Sequence, residues 1–176
     1  MKKLFLSITT VLAIGLFSTR SIAQTTTPAA PASGDVITTV STNADYQSFG
    51  LILRAANLGA ALKDAGPYTI FAPNNTAFNN LTPDVLDRLF QDPAKLTAFL
   101  KHHIVLGKYD KAGIIKALST KMTALKTLDG QTLTLALTAS KNLELTDSDG
   151  NKTNVIAFDI NASNGVIIGV NHLLFK

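Results

Sequence analysis

The stretch that most constrains the fold is an eleven-residue run, Tyr68-Thr-Ile-Phe-Ala-Pro-Asn-Asn-Thr-Ala-Phe78. Tyr68, Thr69, Ile70 and Phe71 are aromatic or β-branched and predict a short buried strand. Pro73 has no N–H to give a ladder and ends it. Asn74 stands where a helix N-cap is needed, its side-chain oxygen available to the free N–H groups of a turn carrying Thr76, Ala77 and Phe78. Strand, proline corner and capped helix in immediate succession predict a rigid joint, to which the segments on either side must attach.

Before this joint the spacing is helical. Val36, Ile37 and Val40 form one apolar stripe; Phe49, Ile52, Leu53 and Ala56 form a second, with Asp45 expected to cap it. Leu58 and Leu62 extend the apolar surface towards Gly66, expected to close a helix in the left-handed conformation. After the joint, Thr82-Pro83 and Asp92-Pro93 each set a capping residue before a proline at the first helical position. The first helix turns Val85, Leu86 and Leu89 inward, the second Leu96, Phe99 and Leu100, and Ala112 to Leu118 is a short amphipathic segment.

From Lys121 the period changes. Asp129-Gly130 is a hairpin signal, and Leu133, Leu135 and Leu137 alternate with Thr132, Thr134, Ala136 and Thr138 as a half-buried strand does. Turns at Lys141-Asn142 and Asp147 to Asn151 separate strands around Leu143 and Val155 to Ile160, and Gly165 to Val170 is the last. Helices followed by consecutive strands predict an α+β domain with a largely antiparallel sheet.

The N-terminus has a different design. Lys2 and Lys3, an apolar run from Leu4 to Phe17 and the small-x-small site Ser21-Ile22-Ala23 predict a bacterial-type secretory signal over 1–23, cleaved before Gln24. Residues 24–34, rich in Thr, Pro and Ala, read as a flexible linker, and 35–176 as the domain. Lys2, Lys3 and Arg20 leave with the signal, so 16 basic and 12 acidic residues become 13 and 12, a mature balance of +1. That balance gives no nucleic-acid footprint. With no cysteine, a disulfide scaffold and a lipid-anchored lipoprotein are both excluded.

The joint, with Gly66-Pro67 before it and Leu81 after it, resembles the first signature motif of the fasciclin family. Leu100 to Val105 with Gly107-Lys108-Tyr109 is similar to that family's central tyrosine-histidine segment, and Asp159 to Ile167 through Leu173-Leu174 to its closing motif. The resemblance spans Asp35 to Lys176 and implies a wedge of antiparallel β-strands flanked by several short helices. It implies structural roles for Phe71, Ala72, Pro73, Asn74, Thr76, Phe78, His103, Asn164, Gly165, Val166 and Ile167. His102 replaces the family's usual tyrosine, Leu106 a usual proline, Ile168 a frequent histidine and Asn171 a frequent aspartate. The tyrosine and aspartate regions are implicated in receptor adhesion in animal members, so that recognition mode is not carried over.

Candidate chemistry is sparse. His103, beside Ile104 and Val105, reads as a buried structural histidine, with Asn74, Asn75 and Thr76 its expected partners. Adjacent His102 and His103 diverge on either a helix or a strand, so no metal site is expected. Asp147-Ser-Asp-Gly-Asn151 opens like a calcium loop, but Phe158 falls where the final acidic ligand belongs, and a hairpin turn is the expectation. There is no Gly-x-Ser-x-Gly elbow, and neither an enzyme nor a cofactor is expected. The reading is a secreted, periplasmic or cell-surface monomer for adhesion or matrix binding. Its expected partner is a surface protein or polysaccharide, contacted through Lys101, His102, Lys108 and Tyr109. The alternative is a carrier of an apolar small molecule such as a carotenoid or lipid.

Overall fold

The computed structural model describes residues 34–63 and 66–174. The expected signal, 1–23, and the linker as far as residue 33 lie outside the described residues. Asp35 caps α1 (Val36–Thr42), its carboxylate accepting from the Thr38 N–H at 2.7 Å. Asp45 does not cap α2 (Gln47–Ala55). Asn75, from within the joint, accepts the Ser48 N–H at 3.0 Å and donates to the Ala44 carbonyl at 2.7 Å. The left-handed residue that ends α2 is Asn57, at φ 53°, and Gly66 is not in that region. Then come α3 (Leu58–Lys63), α4 (Asn75–Asn79), α5 (Pro83–Gln91), α6 (Pro93–His102) and α7 (Lys111–Ser119). Asn74 caps α4 through the Ala77 N–H at 3.0 Å, and Asp92 caps α6 through those of Ala94 and Lys95.

The strands are β1 (Tyr68–Pro73), β2 (Ile104–Leu106), β3 (Ala124–Lys126), β4 (Thr132–Leu137), β5 (Leu143–Thr146), β6 (Lys152–Ala162) and β7 (Gly165–Val170). They form one sheet in the order β2-β1-β7-β6-β5-β4-β3. Every pairing is antiparallel except the interior β1–β7 pair, which runs parallel from Tyr68↔Gly165 to Pro73↔Val170. The two outer strands also meet: Val105 bridges to Thr127, and the Leu128 N–H donates to the Ile104 carbonyl at 2.8 Å. The sheet therefore closes into a near-barrel wedge, which satisfies backbone groups that an open edge would expose.

All six residues of β1 and all six of β7 are buried, as expected of strands covered on both faces. Alternation sorts them. Tyr68, Ile70, Ala72 and Ile167 face a core built with Val36, Phe49, Leu53, Phe99 and Leu100 of the helices. Phe71, Ile168 and Val170 face a second core with Ile114 of α7 and Leu125, Leu133, Leu135 and Leu145 of the hairpins. The joint thus sits between two hydrophobic cores and contributes to both.

Candidate functional site

α6 ends on His102, and the next residue, His103, turns the chain into β2. Their rings, 6.3 Å apart at 79°, serve different neighbours. His103 lies between Phe49 and Phe99, with ring centroids at 5.4 and 4.7 Å. Its Nδ1–H donates to the Phe99 carbonyl at 2.9 Å, and its Nε2 accepts the Leu174 N–H at 3.2 Å. The expected partners Asn74, Asn75 and Thr76 are not the ones it has. Asn74 and Asn75 are occupied as caps, Thr76 is exposed, and the joint reaches His103 through its backbone, the Phe71 N–H donating to the His103 carbonyl at 2.9 Å.

Burial pushes the His103 imidazole down to about 4, and the bond to the Phe99 carbonyl offsets this only in part. In the unfolded chain the ring titrates near its ordinary 6.5, so between about pH 6.5 and 4 the unfolded state binds more protons than the native one. Stability is therefore full above 6.5 and falls with pH across this window, by about 3 kcal/mol for a shift of some 2.5 units at 1.36 kcal/mol each. Urea midpoints from pH 7 to 4 should show this loss, and His103→Asn should flatten it. Equal pH slopes in the two proteins would contradict the assignment.

His102 does not belong to a contact surface: it is completely buried, because two hairpin turns fold over the end of α6. Its Nδ1–H donates to Asp129 Oδ2 at 3.0 Å, and its Nε2, which makes no hydrogen bond among the described residues, lies 3.7 Å from Asp147 Oδ2. Burial pushes the Asp129 carboxyl up, but hydrogen bonds from the Thr127 hydroxyl and His102 outweigh it and hold the group below its ordinary value. Asp147 Oδ1 accepts the N–H groups of Asp149 and Asn151, so the Asp147 to Asn151 segment is a self-capped turn between β5 and β6. Among the described residues no group of three or more acidic and imidazole side chains could hold a metal ion.

The rest of the expected contact surface is broken up. Lys108 is exposed, while Lys101 and Tyr109 are half-buried. Thr69 fastens this loop to β1, its hydroxyl donating to the Gly107 carbonyl at 2.7 Å and accepting the Tyr109 N–H at 2.8 Å. In the closing motif, Asn164 accepts the Val36 N–H at 2.8 Å and donates to the Leu62 carbonyl at 2.9 Å, tying two helices to β7. Gly165, Val166 and Ile167 are buried against β1.

Among the described residues, two grooves with mostly apolar walls are accessible that the sequence reading missed. One, about 380 Å³, lies among α2, α4 and α5 and is lined by Leu51, Ile52, Ala55, Phe78, Leu86 and Phe90. Leu51 is 64% exposed and Phe90 46%. The other, about 230 Å³, runs between α7 and the β4–β6 hairpins, where Ile115, Leu137 and Phe158 meet Lys111 and Lys141. The available signal was an apolar residue beside each inward stripe: Leu51 next to Ile52, Phe90 next to Leu89, Ile115 next to Ile114.

A fasciclin domain family model matches residues 44–176. Over 120 residues the chain is 30% identical to the uncharacterized protein sll1735 of Synechocystis, spanning 68% of this chain and 81% of that protein. Over 129 residues it is 30% identical to transforming growth factor-beta-induced protein ig-h3 of Sus scrofa, spanning 73% of this chain but 17% of that one. A solved FAS1 domain pair from the insect cell adhesion molecule fasciclin I shares the fold, with a TM-score of 0.58 at 16% identity, over 73% of this chain and 44% of the other.

Proposed function

Because the chain belongs to the fasciclin domain family, we propose that it is a non-catalytic binding module, exported by residues 1–23, held on the linker 24–34 and acting as a monomer in adhesion or matrix association. Its partner is a surface protein or polysaccharide. The observation that carries this reading is the apolar groove among α2, α4 and α5, where Leu51 and Phe90 stand exposed beside Ile52, Phe78 and Leu86. A cluster of this kind marks an interaction surface more often than scattered single residues do. The insect cell adhesion molecule that shares the fold supports the same reading. Among the described residues no helix is long and apolar enough to cross a membrane.

Beads carrying the protein should adhere to cells, glycans or matrix of its source. The pair Leu51→Asp and Phe90→Asp should weaken that binding about tenfold or more while leaving the thermal midpoint unchanged. Lys108→Glu, in the surface first expected, should change it little. No adhesion by the parent protein in any format would remove the reading; undiminished adhesion by the pair would remove its contact surface.

A second reading, a carrier of an apolar small molecule, is favoured by the apolar walls of the α7 groove, Ile114, Leu118, Leu143, Val155 and Phe158.

A further inference from the structure

The α7 groove differs from the α2–α5 groove in one chemical respect. Its lining includes two ammonium groups, Lys111 and Lys141, and no carboxylate. Neither lysine enters an ion pair among the described residues. Lys111 Nζ stands 5.9 Å from the centroid of the Phe158 ring, a loose contact that leaves the ammonium available. Two carboxylates beside the start of α7 cap its backbone: Asp159 accepts the Lys111 N–H at 2.8 Å, and Asp110 accepts that of Gly113 at 2.8 Å. Lys141, at φ 61° in the turn between β4 and β5, is held there by backbone geometry. The apolar wall continues into solvent through Ile115, 55% exposed, and Leu137, 58% exposed.

We propose that this groove binds a single-chain anionic amphiphile, a fatty carboxylate, with its tail along Ile115, Leu118, Leu137 and Phe158 and its headgroup between Lys111 and Lys141. The proposal rests on the carrier reading and specifies its ligand. An uncharged ligand covering the same wall would draw water from two ammonium groups without replacing it, which costs free energy. A carboxylate replaces that water with charge-assisted hydrogen bonds. The pocket, at about 230 Å³, has room for part of an alkyl chain and leaves the head at the rim, where the lysines are exposed.

The test is titration of the full chain with sodium octanoate and, separately, octan-1-ol, followed by methyl NMR at Ile115, Leu118 and Leu137. Octanoate should shift these methyls and bind roughly fivefold to tenfold more tightly than the alcohol, as expected for an exposed charge pair worth about 1 kcal/mol. The pair Lys111→Gln and Lys141→Gln should erase the preference, by weakening octanoate binding and lifting the desolvation cost on octanol, with the thermal midpoint unchanged; the corresponding arginine pair should keep it. Equal affinity for octanoate and octanol at these methyls would overturn the headgroup assignment while sparing the carrier reading. Shifts confined to Leu51 and Ile52 would do the same by moving the ligand to the other groove. No response to either probe would remove both.

Discussion

Replacing His103 with alanine is expected to lower the unfolding free energy by about 3–5 kcal/mol, a large share of what holds a domain of this size together. Two losses combine. The ring fills space between Phe49 and Phe99, so its removal leaves a cavity comparable to that from truncating a buried aromatic side chain. The Phe99 carbonyl and the Leu174 N–H lose their imidazole partners in a site closed to water. These bonds join α6 to the chain beyond β7, so the variant should also loosen the C-terminal residues, seen as faster amide exchange at Leu174. Equilibrium urea unfolding measures the main effect. A loss below about 1 kcal/mol would mean that the ring merely occupies its site. Free imidazole, which can enter the vacated space, should raise the midpoint of the variant and not of the parent.

The second large effect is expected at Gly165, where alanine should cost about 3 kcal/mol or more. A Cβ there would lie 2.2 Å from the Tyr68 carbonyl oxygen. That oxygen belongs to the backbone of β1 and has no rotamer by which to withdraw, so β1 and β7 would have to part at the start of their register. Gly59 supplies the contrast. It lies in α3, and an added Cβ meets nothing within 4 Å. Alanine there should stabilise the protein by up to about 1 kcal/mol through helix propensity and reduced freedom of the unfolded chain. Opposite signs for one chemical change at two glycines, read from urea midpoints, is the expected result. A neutral Gly165→Ala would show that the β1–β7 pair tolerates separation.

What the sequence disclosed followed the range of the interaction. The joint was readable because its strand, its proline and the Asn74 cap act within a few residues of one another. The helices at Pro83 and Pro93 were readable for the same reason. Asn75 was not, since it caps α2 from 27 residues away and displaces Asp45 from that role. The parallel β1–β7 pair escaped a reading based on consecutive hairpins, although the near-absence of polar residues in both strands, Thr69 apart, was its trace. His102 is expected on the contact surface with Lys101, Lys108 and Tyr109, and is buried instead. Its burial depends on Asp129 and Asp147, which two distant turns bring over the end of α6. The grooves were hidden for a related reason: an apolar residue beside an inward stripe is either a lid or a contact, and only neighbouring elements decide which.

The parallel pairing of β1 with β7 also has a consequence in time. Ile70 pairs with Ile167, 97 positions later in the chain, since 167 − 70 = 97. At a synthesis rate of about 5–20 residues per second, β1 is made about 5–20 s before its partner strand exists. During that interval six residues that the finished protein keeps from water have no β7 to cover them. The last strand to leave the ribosome is thus the one that lets the first strand settle, and the nascent domain stays open until its synthesis is nearly complete.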